Sequence, residues 1–442
     1  MARILKIADE ISDQQVAIIM DVVKNAFGET WLLTSGGTNP LQILWQRPDL
    51  FATQELYNFG VSLNKMIAIN KNWVDSQIEQ AKSDHKNNQR GAIFEIFSLG
   101  FMSAPTQTVD PAPNSNPGYD GIVNLSAIKK IRLSLKSYGM STHEAEFNRY
   151  ANEFEQEFLK EIRKRGIYSI QLFIDAYEGL PSPEKWKELK TLIPEILDRY
   201  IFGRLVKFEI KEYWSIMMLN INDNKKYSRK HGSYLLMITS EIHKNEYQNV
   251  YDKLDEACNN LVKHHGVEDN SICNVVMVHM PPNVSIERCR YYVEQFLAER
   301  PDKAISLVML YQPSIVSNTT YTSKHINHCL QMVSPAGKFE AFLQGTGIEP
   351  IIAIPIGVIS DIQAGTYMVP TAGGKPFPVH QKYLYQRGHF YIEVPVNPKG
   401  TTEGDVKKLA PGIFEHPVLE ILGQGELVFG LRQPVDDALL IN

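Results

Sequence analysis

The chain has 442 residues, room for two or three domains and a sizeable core. With 43% hydrophobic and 21% charged residues it has the composition of a globular protein rather than a disordered or fibrous one. The formal net charge of −5 means that any nucleic-acid partner must be met by positive charge gathered on one face.

No stretch approaches the roughly 20 apolar residues of a membrane span. The start, Met1-Ala-Arg-Ile-Leu-Lys, lacks the apolar segment of a secretory leader, so a cytoplasmic location is expected. Cys258, Cys273, Cys289 and Cys329 are widely spaced with no C-x-x-C pair. That argues against zinc and against a disulfide framework, and leaves them as small core residues.

In chain order, the first 80 residues are expected to be mainly helical, with a loop at Thr34-Ser-Gly-Gly-Thr-Asn-Pro. A helix is expected around residues 89–100, and then a turn-rich loop, Pro111-Ala-Pro-Asn-Ser-Asn-Pro-Gly. Strands are expected near 101–109, at Tyr119-Asp-Gly-Ile-Val-Asn-Leu and at Ile131-Arg-Leu-Ser-Leu-Lys-Ser-Tyr. In the last, Ile131, Leu133 and Leu135 alternate with Arg132, Ser134 and Lys136, the period of a strand with one polar face. Ser141-Thr-His-Glu fits a capping box opening a helix to about Arg165. Ile167-Tyr-Ser-Ile-Gln-Leu-Phe-Ile-Asp is then expected to return to the same sheet through a crossover. Strands near 206–221, 233–241, 272–280 and 304–312 alternate with helices at 245–264 and 285–299, and a β-rich part follows from about 340.

Glu95, Asp120 and Lys136 carry the chemistry. Glu95 lies in a helix that is apolar almost all round, and a buried carboxylate needs a partner or a metal. Neighbouring strands lie about 4.8 Å apart, so a hairpin can bring Asp120 to the face shared by Ser134 and Lys136. Phosphodiester hydrolysis needs this kind of set. Carboxylates hold Mg²⁺, the metal polarises phosphate and water, and a lysine orients the water.

Phe94-Glu95-Ile96, Gly118-Tyr119-Asp120-Gly121 and Leu133-Ser134-Leu135-Lys136 together resemble the PD-(D/E)xK nuclease superfamily over roughly 90 residues. The resemblance implies an α/β, restriction-endonuclease-like core: a mixed sheet flanked by helices. It implies Mg²⁺-dependent cleavage of DNA by a restriction or defence endonuclease, with Asp120 and the Leu135 carbonyl on the metal and Lys136 on the water. Ser134 stands where the motif has a carboxylate. Some restriction endonucleases of the superfamily share that form and draw the missing carboxylate from the next helix. On that helix Phe147, Ala151, Phe154, Phe158 and Ile162 form the inward stripe, and Glu144 lies within about 40° of its centre. Glu144 or Glu95 then completes the metal shell.

Structural alternatives stay open: a capping role for Glu144, a solvated edge lysine at 136, a turn at Asp120-Gly121 and an ion pair at Glu95. The basic loop 222–232 with Tyr227, and the stretch 373–387, can contact phosphates or be ordinary solvated loops. His143, His264 and His265 receive no role.

The expected organisation is a helical region 1–80, an α/β body 81–335 with its catalytic core at 89–175, and a β-rich region 336–442 for target recognition. Cutting both strands of a duplex suggests a homodimer. The alternatives are an RNA or repair nuclease with the same site, and a non-catalytic nucleic-acid-binding protein.

Overall fold

The computed structural model describes residues 3–361 except 4, 35–38, 47–49, 114–116, 139–141, 168, 177–178, 201–205, 212, 220–232, 242, 244–247, 266–270, 281–283, 285, 301–303, 318–323, 336 and 345–349. Beyond 361 it describes isolated strands. Ser141, the loop 222–232 and most of 373–387 therefore lie outside the described residues.

The chain opens with helices α1 (Asp13–Phe27), α2 (Glu29–Leu32), α3 (Pro40–Gln46), α4 (Leu50–Lys82) and α5 (Lys86–Phe101). Ser12 caps α1 through a reciprocal pair: its hydroxyl accepts from the Gln15 amide, and the Gln15 side chain accepts from the Ser12 amide. Helix α4 breaks at Asn70 (φ −153°, ψ 87°), whose side chain accepts from the Trp73 amide at 3.0 Å and starts the helix again. Close packing joins α4 to α5, because a Cβ on Gly100 would meet the Ser62 backbone at 2.5 Å.

Next come β1 (Thr108–Pro111), β2 (Gly121–Asn124) and β3 (Lys130–Ser137). After them run α6 (Thr142–Lys164), β4 (Ser169–Ala176), α7 (Pro183–Thr191), α8 (Ile193–Asp198), β5 (Val206–Ile210), β6 (Trp214–Leu219) and β7 (Ser233–Glu241). The α/β alternation resumes with α9 (Gln248–His265), β8 (Ile272–His279), α10 (Ile286–Glu299), β9 (Leu307–Ser317), β10 (Lys324–Val333), α11 (Lys338–Leu343) and β11 (Val358–Ser360). The described parts of the remainder are β12 (Thr366–Val369), β13 (Phe377–His380), β14 (Tyr385–Arg387), β15 (Phe390–Glu393), β16 (Gly404–Lys408), β17 (His416–Leu419) and β18 (Leu439–Ile441).

The fold is mixed α/β. A seven-stranded sheet has the order β1-β2-β3-β8-β9-β10-β11. Its first three strands form an antiparallel meander, and β8 then pairs with β3 in parallel. Both faces are covered. Leu133, Leu135, Val275 and Met277 belong to the core shared with α1, α4 and α5, whereas Val276, Val278 and Val308 pack with α9 and α10. Ser134 is consequently buried, so β3 does not carry the solvated face that its alternation suggested.

Two expectations are corrected. Strand β4 does not return to this sheet but lies in a five-stranded one of order β18-β7-β4-β6-β5. The crossover from β3 instead leads to β8, so residues 142–241 are inserted between β3 and α9, and the expected core at 89–175 is interrupted after β3. The insertion has its own hydrophobic core, where the expected stripe Phe147, Ala151, Phe154, Phe158 and Ile162 is buried against Ile170, Leu172 and Trp186. Residues 350–361 also belong with the main sheet: the Ile351 amide donates to Gln107 Oε1, and β11 pairs with β10. The four cysteines are buried, and no disulfide joins them. Among the described residues no helix is long and apolar enough to cross a membrane.

Candidate active site

Asp120 immediately precedes β2, and the hairpin sets its position. Its amide donates to the Leu133 carbonyl at 2.8 Å, and its Oδ2 accepts from the Leu135 amide at 2.5 Å. Main-chain bonds therefore orient the carboxylate before any ligand arrives. The next residue, Gly121, lies under α5, where a Cβ would meet Leu99 Cδ2 at 2.5 Å. Helix and strand can approach this closely because position 121 has no side chain, and Glu95 is thereby carried to Asp120.

The two carboxylates act on each other strongly. Burial, followed by the charge of Asp120, pushes the Glu95 carboxyl up to about 8, while Lys136 and a hydrogen bond from Gln77 oppose the shift. Burial also raises Asp120, against the pull of the Leu135 amide and Lys136. Both residues keep partial exposure at the surface.

Lys136 comes from the α9 face of β3 and ion-pairs with Glu256 of α9, Nζ to Oε1 at 3.0 Å. Burial would raise the Glu256 carboxyl, but the Lys136 hydrogen bond and charge outweigh it and hold it low. Ser134 lies two residues back on β3, 3% exposed, and the Leu135 carbonyl follows it.

Asp120, Ser134, Leu135 and Lys136 lie on the β2–β3 hairpin, and the charges of Asp120 and Lys136 act on Glu95. Glu144 sits in the first turn of α6, a helix whose buried stripe packs on the inserted sheet. The helix crossing from β3 to its parallel neighbour is α9, and the carboxylate that meets Lys136 is Glu256. Sequence reasoning missed it because only the β3–β8 pairing identifies α9 as the following helix. Gln77 was missed as well. It did leave a signal, being a polar residue on the apolar stripe Trp73, Val74, Ile78 and Ala81.

Glu95, Asp120 and the Leu135 carbonyl are the groups here that could hold a divalent cation. Three carboxylates and one ammonium sum to −2 when all are ionised, and Gln77 Oε1 is buried with no hydrogen-bond partner. Among the described residues no group of three or more His, Cys, Asp or Glu side chains is arranged around a metal position. Mg²⁺ needs only one or two carboxylates, with waters and neutral oxygens filling its octahedron.

No family model matches the chain. No curated protein matches it either. Among solved structures, the central domain of yeast acetyl-CoA carboxylase aligns over 84% of this chain at 11% identity, with a TM-score of 0.16. This chain spans 62% of that one, and a likeness of this size bears on neither fold nor activity.

Proposed function

We propose that the chain is a Mg²⁺-dependent nuclease that hydrolyses DNA phosphodiester bonds at Glu95, Asp120, Leu135 and Lys136. The observation that carries the reading is the meeting of two enclosed carboxylates with a lysine where β2, β3 and α5 converge. Support also comes from topology. Helix α5, the meander β1–β2–β3, helix α9 and the parallel strand β8 follow the helix, strands, helix, strand order that the resemblance to the PD-(D/E)xK superfamily implies.

Asp120, Glu95 and the Leu135 carbonyl are the groups that would hold Mg²⁺, which when bound polarises the phosphate and lowers the pKa of a water. Asp120 arrives already oriented by the Leu135 amide, so little reorganisation is left for the reacting state. Lys136 directs its ammonium at the attacking water and offsets charge growing on the phosphate. Glu256 restrains the lysine by taking one of its hydrogen bonds. In this reading Glu256 takes the place that Ser134 leaves without a carboxylate, acting through Lys136.

The test is cleavage of mixed-sequence duplex DNA, single-stranded DNA and RNA, each with Mg²⁺ and with excess EDTA. Cutting of duplex DNA that EDTA abolishes is expected. Preference for RNA would reassign the substrate, and full activity in EDTA would remove the metal from the mechanism.

A further inference from the structure

Helix α9 brings a second lysine to the flank that meets Lys136. Its Val250, Leu254 and Leu261 are buried with Val276 and Val278 of β8, which turns Lys253 and Glu256 to the side of the helix where β3 ends. The Glu256 carboxylate stands between two ammoniums. Its Oε1 lies 3.0 Å from Lys136 Nζ, and its Oε2 lies 3.7 Å from Lys253 Nζ.

The two contacts differ in kind. Lys136 donates a hydrogen bond, whereas 3.7 Å is beyond hydrogen-bond reach and leaves only the attraction of charge. An ion pair of that sort at the surface holds weakly, so a stronger acceptor can take its place. The Lys253 side chain is 41% exposed against 15% for Lys136, and among the described residues Glu256 is the one carboxylate it pairs with.

Charge and spacing name the acceptor. Carboxylate and phosphate both offer charged oxygens to an ammonium, and lysine meets phosphate as a point charge. The two lysines and Glu256 sum to +1, and a chain of formal charge −5 can hold DNA only where positive charge is gathered. Phosphates of one strand follow each other about 3.4 Å apart along the helix axis, so the neighbour of a phosphate at Lys136 comes within reach of an ammonium held beside it.

We propose that Lys253 binds the phosphate next to the reacting one, taking it in exchange for Glu256, while Lys136 keeps its shorter bond to that carboxylate. The proposal rests on the nuclease reading. It makes the outer flank of α9, which contributes nothing to the sequence motifs, part of the track for the DNA strand.

The test compares the full chain with Lys253→Gln, Lys253→Arg and Glu256→Gln. Lys160→Gln is the control, because Lys160 is another exposed lysine paired with a glutamate three residues away. Affinity for a mixed-sequence duplex is measured in EDTA from 50 to 200 mM salt, and cleavage kinetics in Mg²⁺. Each phosphate contact contributes about 0.9 to the slope of log affinity against log salt. Lys253→Gln should lose about that much slope, so that its deficit against the parent shrinks about 3.5-fold across the range. Its KM for DNA should rise while kcat holds, and Lys253→Arg should keep the parental slope. Glu256→Gln should bind duplex more tightly than the parent, since no carboxylate then competes for Lys253. A parental slope or a parental KM in Lys253→Gln overturns the proposal. An equal loss of slope in Lys160→Gln does so too, by marking a general effect of surface charge, and weaker binding by Glu256→Gln overturns the exchange of partners. A parent that neither binds nor cuts duplex DNA sinks the nuclease reading itself, whereas a parent that does both beside an unaffected Lys253→Gln sinks only the role of Lys253.

Discussion

Replacing Glu95 by glutamine should stabilise the metal-free protein, and increasingly so as pH rises. A carboxyl whose value rises from 4.5 to about 8 on folding binds more protons in the folded state than in the unfolded one between those limits. Stability then falls as pH climbs through that window, at up to about 1.4 kcal/mol per pH unit. Integrated from pH 5 to pH 8, the cost to the parent is about 3 kcal/mol, and the amide in Glu95→Gln carries none of it. Urea unfolding of parent and variant at pH 5, 6, 7 and 8 in EDTA measures the gap directly. The gap should be small at pH 5 and widen steadily to pH 8. Saturating Mg²⁺ should then narrow it, because a ligand at a hundred times its dissociation constant contributes about 2.7 kcal/mol to the form that binds it. A gap that stays constant across the series would show that Glu95 is not held in a raised state by burial and Asp120, and the account of the site would fall with it.

Lys136→Met should lower the cleavage rate by roughly 10²–10⁴ while duplex affinity, supplied by other phosphate contacts, changes little; a near-parental rate in single-turnover assays removes the lysine from the mechanism. Glu256→Gln should lower the rate by roughly tenfold or more through a loosened Lys136, with Glu144→Gln close to parental, and the reverse ranking in a side-by-side assay would return the carboxylate to α6. Gly100→Ala should destabilise the core by roughly 1–3 kcal/mol, since the added methyl meets the Ser62 backbone rather than a movable side chain; an unchanged denaturation midpoint would mean that α4 and α5 can part without cost.

Local pattern was legible wherever a single element decides it. The stripe from Phe147 to Ile162 is buried as its 3.6-residue period implies, the strand from Ile131 forms, and the helices before residue 80 form. Pairing between elements was not legible. Ile167–Asp175 is a good strand by composition, but nothing in it specifies which sheet it joins, and the tendency of consecutive strands to be neighbours pointed to the wrong one. The insertion of 142–241 defeats that tendency, because β3 finds its parallel partner only at Ile272–His279. The site divides in the same way. Asp120 and Lys136 sit on one hairpin and Glu95 on the helix before it, so all three candidates lie within one short stretch of the chain. Glu256 lies 120 residues from Lys136 along the chain, beyond the reach of any local motif.

The position of the insertion explains why the meander and crossover survive it. The main sheet is interrupted at a single point, between the end of β3 and the start of α9, and both connections of the inserted unit leave from there. At that point His143, in the first turn of α6, stacks on His243, just after β7, with ring centroids 3.8 Å apart and planes 13° from parallel. Entry and exit are therefore adjacent, and the inserted unit closes its own core without drawing on a strand of the main sheet. Its free edge at β7 is taken by β18 from the far end of the chain, which covers backbone groups that an open strand would leave unpaired. A unit joined at neighbouring points adds little constraint to the body it interrupts, so β3 and β8 can pair over their whole length, from Lys130–Ile272 to Ser137–His279, as though the intervening segment were a loop. Lys136 lies on the penultimate pair of that register. Its place opposite Glu256 follows from the β3–β8 pairing and the α9 crossover, and owes nothing to the insertion.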